Sequence, residues 1–355
     1  MQRTGDSMPG VRGAIFVTVL TCLVCILSFS GRYVYITRTP ADQYRVEGEG
    51  ETRDENKGLP GSVRVEEKPR LTEEEMNSVK TLALFVGHAR SCHTFVGSML
   101  NAHPHMHIGV GFNLLTYFRA LGSDATRESL FQELYRNALL NRDSNSTLER
   151  KGYSFRFDGL YQGTYKEHLD VIGAQRGGGL ARFNLKNPKE CKTTLAGLKH
   201  LTRLPLYLMR VLRNPFDIVS TQVLYAGREA EEVRTLKSNL RSSGETYSDP
   251  ERVSNIARDY FDMLQSTEEV LHLANKSMDV HCRDLIVNPK VEIQRMCDFF
   301  EVECPKEYIE KSAAMVFPEE SKTSELVEWP EEARDYVLKQ LSGERFPYLR
   351  RYLDE

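Results

Sequence analysis

Residues 88–93 have the composition of an anion-binding loop: the segment is short and polar, and Arg90 lies at its centre. An apolar run precedes it at 82–86, and apolar residues recur at helical spacing over 95–100. This order predicts a strand, a loop and a helix. The N–H groups and dipole of a helix N-terminus attract anions, and Arg90 adds a full positive charge. Phosphate or sulfate is the expected guest, although an ordinary loop with an incidental arginine fits this stretch equally well.

A second junction of the same kind begins at Arg213, where the apolar run 204–212 ends. Asn214-Pro215 interrupts the strand pattern, and a helical pattern follows. Thr221 stands eight positions after Arg213, and a guanidinium and a hydroxyl in such a helix can converge on one phosphate. Neither junction contains the G-x-x-x-x-G-K-[ST] loop of kinases and GTPases.

The two junctions resemble the donor-binding motifs of the membrane-bound, Golgi-type sulfotransferases. In that family an Arg-Ser-Gly-[Ser/Thr]-[Ser/Thr] loop opens a helix that ends in Asn/Asp-x-His-Pro, and a later strand ends in an Arg with a Ser or Thr eight positions on. The matching residues are Arg90, Ser91, Cys92, His93 and Thr94, residues 95–97 and 101–104, and then Arg213 and Thr221. Cys92 stands where Gly is usual, and His93 where Ser or Thr is usual.

The resemblance implies a sulfotransferase whose donor is 3′-phosphoadenosine 5′-phosphosulfate. The implied donor-binding residues are Arg90, Ser91, Cys92, His93, Thr94 and Phe95 at the phosphosulfate, with Arg213 and Thr221 at the 3′-phosphate. Arg90 would also stabilise the leaving phosphate, and the scheme requires no metal. Because residues 95–97 and 101–104 look closest to the carbohydrate enzymes, a glycan hydroxyl is the expected acceptor. A tyrosylprotein-type enzyme is the alternative.

Two weaker matches extend the resemblance over about residues 81–348. Asp284 and Pro289 match a Tyr-Glu-Asp-Leu-x-x-x-Pro segment of the family. Two neighbouring positions depart from it: Cys282 and Arg283. Residues 322–330 resemble the Trp-Pro segment that follows the family's donor-covering loop. Two basic residues between the donor motifs either extend the site or are solvated surface charges: Arg176 and Lys186.

The catalytic base is where the sequence departs most from the family. Relatives carry a Glu just after His-Pro, whereas residues 105–112 contain no carboxylate. His93 is the candidate base, because imidazole titrates near neutral pH, where general bases are most effective. The alternative is that His93 donates to a phosphosulfate oxygen; His105 and His107 are weaker candidates. Without a base, the chain would be a non-catalytic binding protein of the same fold.

Whole-chain properties argue against other classes of protein. The formal net charge of −3 is unlike that of a nucleic-acid coat. The sequence has no Asp-x-Asp pair, which glycosyltransferases that use Mn²⁺ commonly need. The expected partners are a glycan or glycoprotein acceptor, the membrane through a single span and, as a homodimer, a second copy of the chain. No nucleic acid is expected.

The N-terminal region predicts a membrane anchor. Residues 13–30 carry no charge and fit a helix that spans a thin membrane at about 1.5 Å per residue. A signal anchor is favoured, with a cleaved signal peptide as the alternative. The expected organisation is a single-pass type II protein of the Golgi membrane: cytosolic tail (1–12), anchor (13–30), disordered stem (31–79) and lumenal sulfotransferase domain (80–355).

The cysteines and the N-glycosylation sequons indicate in which cellular compartment the chain is expected. Five cysteines follow the anchor, so at least one should be unpaired or pair between chains. Cys297 and Cys304 are the closest candidates for a local disulfide, and no spacing resembles a zinc site. Sequons at Asn145 and Asn275 fit lumenal glycosylation.

The elements that must position these motifs alternate along the chain. Strand-like runs at 82–86, 206–212 and 278–281 alternate with helical patterns at 94–101, 216–225, 254–273 and 291–300. This alternation predicts an α/β fold, a P-loop-type parallel sheet flanked by helices in a single globular domain. Ligands of such sheets bind at the carboxyl ends of the strands, where Arg90 and Arg213 both fall.

Overall fold

The computed structural model describes residues 70–140 and 155–353 of the 355-residue chain. The predicted tail and anchor, most of the predicted stem and Asn145 lie outside these residues. In the part that is described, no helix has both the length and the apolar character needed to cross a membrane.

The described residues form a parallel five-stranded sheet in the order β2-β3-β1-β4-β5. The strands are β1 (Thr81–Val86), β2 (Met106–Val110), β3 (Val171–Gln175), β4 (Leu206–Leu212) and β5 (Lys276–His281). The predicted parallel sheet is confirmed, and so are its three predicted strands. Two strands were missed, β2 and β3, because each is short and includes a glycine and a polar residue. Every residue of β1 to β4 is buried, as expected of a parallel sheet covered on both faces.

The chain segments that connect the strands form helices, and these helices pack on the sheet. Their bounds are α1 (Glu73–Ser78), α2 (His93–Asn101), α3 (Leu114–Leu121), α4 (Arg127–Leu140), α5 (Gly179–Lys186), α6 (Pro188–Thr202), α7 (Pro215–Tyr225), α8 (Ala230–Ser243), α9 (Pro250–Leu271), α10 (Cys282–Val287), α11 (Pro289–Phe300), α12 (Lys306–Ala314) and α13 (Glu331–Ser342). The four predicted helices are confirmed as α2, α7, α9 and α11. Helix α9 begins four residues earlier than predicted, because the Asp249 side chain caps it by accepting from Arg252 N at 3.2 Å.

Folded structure begins before residue 80, inside the predicted stem, so that boundary was wrong. Thr72 and Glu75 form a reciprocal capping box that starts α1. Leu71, Met76 and Val79 are buried, which anchors α1 on the domain. Because the predicted stem is rich in charged residues, its composition did not indicate the short helix α1.

Buried side chains fix the two helices that follow the predicted donor motifs. Phe95 and Met99 of α2 pack in one cluster with strand and α11 residues, and Val219 of α7 packs in a second cluster with Tyr260 of α9. Because β1 pairs with β4, with Val86 opposite Arg210, the loops after both strands lie side by side at the carboxyl edge of the sheet.

Four of the five cysteines beyond the predicted anchor are paired. The expected Cys297–Cys304 disulfide is confirmed, and a second disulfide joins Cys92 to Cys282 across 190 residues. Cys191 is free and buried, in agreement with the odd count. The long-range pair could not be predicted from spacing, because it depends on β5 ending near the loop after β1.

Candidate active site

The loop between β1 and α2 contains two residues with an unusual backbone conformation. Arg90 and Cys92 both have left-handed backbones, with φ of 72° and 73°, which is uncommon for residues other than glycine. Ser91 Oγ donates to His88 O at 2.8 Å and tightens the turn. Cys92 is the residue before α2, and its side chain makes no capping hydrogen bond to the helix. The first backbone N–H groups of a helix such as α2 have no partner within the helix, and such groups bind anions at other helix N-termini.

A cavity of about 520 Å³ lies against this loop. Its wall includes all the predicted donor-site residues except the buried Ser91: Arg90, Cys92, His93, Thr94, Phe95, Arg213 and Thr221. The structure therefore brings the two sequence motifs to one place. A larger cavity of about 760 Å³ lies elsewhere, at Arg210, but Asp279 and Glu268 already pair with that arginine.

Four cationic side chains line the cavity, and besides Arg176 they are Arg90, Arg213 and Lys237. The Arg90 guanidinium lies 3.5 Å above the Tyr225 ring, which holds it on the cavity wall. Arg213 donates to Arg90 O at 3.4 Å and forms an ion pair with Asp217 at 3.3 Å. Lys237 belongs to α8, and its pKa is lowered to about 8 by burial and by Arg213 and neighbouring arginines. Sequence reasoning missed Lys237, because it sits on a polar helix and only tertiary packing brings it here.

Thr221 presents an unsatisfied hydroxyl to this region. Its side chain is 5% exposed, and its Oγ1 is buried without a hydrogen-bond partner among the described residues. Asn214 caps α7 by accepting from Phe216 N at 2.9 Å, which fixes the helix that carries Thr221. Buried polar atoms are nearly always paired, so an orphan hydroxyl next to a cationic cavity points to a ligand.

His93 is half-buried in the cavity wall, where its ring is closely contacted by its neighbours. Its Nδ1 contacts the Gln175 side-chain amide and Thr94 Oγ1, and a Cβ at Gly177 would clash with its Nε2. Burial, followed by the charges of Arg90 and Arg176, lowers the pKa of His93 to about 3. A pKa lowered in this way weighs against the predicted role of His93 as a general base near neutral pH. A neutral ring of such low basicity favours the alternative, a hydrogen-bond donor to the donor substrate.

The two weaker histidine candidates lie away from the cavity. His105 and His107 are at the amino end of β2, whereas Gly111, just past its carboxyl end, lines the cavity. His107 is buried and stacked on Tyr135, with ring centroids 5.0 Å apart. His105, His168 and Asp170 are close enough together to hold a metal ion, but they are at the same distant edge of the sheet. His103, Cys297 and Cys304 are also close together, although these cysteines form a disulfide.

A C-terminal segment, residues 317–321, crosses the cavity and contributes two carboxylates that sequence reasoning missed. Phe317 packs on Phe95 at 5.3 Å between ring centroids, and Ser321 O accepts from Arg213. Glu319 and Glu320 line the cavity between these contacts. The only sequence signal was the resemblance of residues 322–330 to the segment after a donor-covering loop.

Comparisons with known proteins give distant similarities. No protein-family model matches the chain, and no curated protein matches it. Similar solved structures include the sulfotransferase domain of the Synechococcus PCC 7002 olefin synthase (13% identity, 69% of this chain and 79% of that one, TM-score 0.36). They also include a sulfotransferase from Alicyclobacillus acidocaldarius (13% identity, 77% and 93%, TM-score 0.35) and mouse sulfotransferase SULT7A1 complexed with PAP (10% identity, 79% and 92%, TM-score 0.38). These structural neighbours are sulfotransferases, at a level of similarity that carries no argument about this chain's substrates.

Proposed function

We propose that the protein is a sulfotransferase that moves a sulfuryl group from 3′-phosphoadenosine 5′-phosphosulfate to a hydroxyl of a carbohydrate. The observation that carries the proposal is the convergence, in one cavity, of the loop before α2 with Arg213, Thr221 and Lys237. The donor has two anionic ends, a 5′-phosphosulfate and a 3′-phosphate, and this cavity has two sets of groups suited to anions.

The donor's ends are assigned by the chemistry of each set. Arg90 and the backbone donors of residues 91–94 suit the phosphosulfate. Arg213 and the unpaired Thr221 hydroxyl suit the 3′-phosphate, and Lys237 adds positive charge to the same cavity. Apolar side chains on the same wall, Phe95 and Phe317 among them, offer a surface for the adenine ring.

Transfer requires positioning and charge stabilisation more than covalent chemistry. The acceptor oxygen attacks sulfur, the bond from sulfur to the 5′-phosphate oxygen breaks, and adenosine 3′,5′-bisphosphate leaves with the electron pair. Arg90 and the loop amides stabilise that leaving group, each donor contributing about 3 kcal/mol in the transition state. The acceptor's proton needs a base, and Glu319 and Glu320 are the carboxylates described at the cavity.

Two alternatives keep the same donor site. A tyrosine side chain could replace the sugar as acceptor, because the donor motifs are shared by both classes. Donor binding without turnover is the second, since no carboxylate follows His103-Pro104 where relatives carry one. Sulfation of desulfated glycans, of tyrosine peptides or of neither distinguishes carbohydrate transfer, tyrosine transfer and donor binding without turnover.

We also propose that the chain is a type II Golgi membrane protein with a lumenal catalytic domain. Support comes from two disulfides in the described residues, since such bonds persist in oxidising compartments. The sequon residue Asn275 is exposed at the start of β5, where a glycan could be accommodated.

The decisive experiment is donor-product binding to the full-length protein in detergent. Adenosine 3′,5′-bisphosphate should raise the melting temperature by mass action, and adenosine 5′-monophosphate, which lacks the 3′-phosphate, should do so much less. Arg213→Ala should weaken binding by about 1.5 to 3 kcal/mol, the usual value for a charged hydrogen bond. Arg234→Ala, which removes an exposed arginine of α8, is the control. If adenosine 3′,5′-bisphosphate does not bind, the proposal is contradicted. Equal affinity of wild type, Arg213→Ala and Arg234→Ala would remove Arg213 from the site. Radiolabelled donor with desulfated glycans and tyrosine peptides then tests transfer.

A further inference from the structure

A second cavity, of about 390 Å³, adjoins the donor cavity. The two share Ala89, Arg176 and Gly177, the last of which covers His93. The shared boundary therefore lies next to the loop assigned to the phosphosulfate. Neither α8 nor residues 317–321 contribute to the wall of the second cavity.

The second cavity is basic. Arg176, Arg182 and Lys186 line it, and no carboxylate does. Arg176 is held in place by donating to Gly111 O at 3.1 Å. Arg182 is partly neutralised by Asp259 at 3.1 Å. Lys186 is exposed and makes no ion pair with any residue in the described ranges, so its charge is available.

Polar side chains on the same wall suit hydroxyl groups. The Gln222 amide makes no hydrogen bond within the part of the chain that the structure describes, and it can both donate and accept. Asn113 uses its Oδ1 to accept from Thr116 N at 3.2 Å, which leaves its NH₂ group able to donate. Two amides with free hydrogen-bonding capacity, in a cavity of about 390 Å³, are suited to the hydroxyls of one or two sugar units.

We propose that this second cavity binds the acceptor, and that the acceptor is an acidic carbohydrate with a carboxylate or sulfate group near the reacting hydroxyl. The inference rests on the proposed function. The acid group binds Lys186 and Arg176, and the amides of Gln222 and Asn113 bind hydroxyls. At the shared boundary the acceptor oxygen bonds to sulfur, the sulfur–phosphate oxygen bond breaks, and the hydroxyl proton goes to a carboxylate of the donor cavity.

The test is calorimetric binding of matched oligosaccharides to the full-length protein saturated with adenosine 3′,5′-bisphosphate, at about 0.15 M salt to screen non-specific attraction. The probes are a chondroitin hexasaccharide with carboxylates only, a keratan sulfate hexasaccharide with sulfates only, and carboxyl-reduced chondroitin, which is neutral. At least one acidic probe should bind roughly tenfold more tightly than the neutral one. The two acidic probes show which group is recognised.

Substitution of Lys186 makes the test specific to the cavity. Lys186→Gln should lose roughly tenfold in affinity for the acidic probe and little for the neutral one, while adenosine 3′,5′-bisphosphate still binds. Lys339→Gln, which removes an exposed lysine of α13, should behave as wild type. Equal binding of acidic and neutral probes would overturn the inference, as would preference for an acidic tyrosine peptide over every sugar. Failure to bind adenosine 3′,5′-bisphosphate would instead overturn the proposed function.

Discussion

Cys92 and Cys282 form a disulfide bond across the candidate active site, and each is a position at which its own motif departs from the sulfotransferase pattern. Cys92 lies in the loop before α2 with φ of 73°, and Cys282 begins α10 at the end of β5. A glycine adopts such a backbone without strain, whereas a cysteine does not. The covalent bond therefore holds the loop in the conformation that the usual glycine would adopt by itself.

Loss of this disulfide should impair the donor site. Cys92→Ser/Cys282→Ser should bind adenosine 3′,5′-bisphosphate about tenfold more weakly and lose roughly 2 to 5 kcal/mol of stability. Cys92→Gly/Cys282→Ala lacks the bond as well but restores a residue that favours positive φ, so its affinity should be closer to wild type. Calorimetry well below the melting temperature separates affinity from unfolding.

The matched control is the other disulfide. Cys297→Ser/Cys304→Ser removes a bond that lies in the core beside α11, away from the cavity. It should cost stability without changing affinity for the donor product. If both double serine variants bind as wild type does, the Cys92–Cys282 bond has no part in shaping the site.

The sequence predicted the site's framework because strand, loop and helix signals are local. Arg90, Arg213 and Thr221 could be placed together once a parallel sheet was inferred, since such strands end at one edge. Lys237, Glu319 and Glu320 could not, because their positions depend on how α8 and residues 317–321 fold back over the sheet. The lowered pKa of His93 could not be predicted for a related reason: besides the neighbouring Arg90, it depends on burial of the ring and on Arg176, which only the fold brings close.

Thr221→Val should separate binding from stability. Valine has nearly the shape of threonine but lacks the hydroxyl, which is buried and unpaired in the described structure. Removing an unsatisfied buried hydroxyl should leave the free protein as stable or more stable by about 1 kcal/mol. Affinity for adenosine 3′,5′-bisphosphate should fall by about 1.5 to 3 kcal/mol if the hydroxyl donates to a phosphate. Denaturant titration and calorimetry measure the two quantities, and an unchanged affinity would remove Thr221 from the site.

Lys237 should make donor-product binding depend on pH. Its pKa is lowered to about 8 in the free protein, so the side chain loses its charge as pH rises through that value. Affinity for adenosine 3′,5′-bisphosphate should therefore fall between pH 7 and 9.5. Lys237→Met should bind about tenfold more weakly at pH 7 and lose this pH dependence. A wild-type affinity that stays flat across the range would contradict the assignment.

The same pKa has the opposite effect on stability. In the unfolded chain the ordinary lysine pKa is 10.5, so between about 8 and 10.5 the unfolded state holds more protons than the folded one. The free energy of unfolding of the ligand-free protein therefore rises with pH through that interval. Below pH 8 the cost of burying the charged lysine is present in full. Comparison of wild type with Lys237→Met by denaturant titration isolates the contribution.

Glycosylation of Asn275 tests the proposed topology. Asn275 is exposed, and its side chain uses Oδ1 to accept from Leu206 N at 3.0 Å. In protein from the secretory pathway, glycosidase treatment should lower the apparent mass, and Asn275→Gln should remove that part of the shift. Asn145→Gln serves as the comparison for the second sequon. If treated and untreated wild-type protein migrate identically on a gel, the sequons carry no glycan and no longer support the proposed lumenal topology.

Gly177→Ala should disturb the site through His93. A Cβ at this position would overlap His93 Nε2, and the ring has little room to move because Gln175 and Thr94 contact its Nδ1. We expect a loss of about 1 to 3 kcal/mol in stability, as for other overpacked sites, and weaker binding of adenosine 3′,5′-bisphosphate. His93→Ala vacates the space, so adding Gly177→Ala to it should cost much less, with a coupling of about 1 kcal/mol or more. Additive effects in this cycle would show that the two residues are not in contact.

The single variant His93→Ala tests the role of this side chain. If His93 donates a hydrogen bond to the phosphosulfate, the variant should lose affinity and turnover together. Loss of turnover alone would instead support His93 as the base.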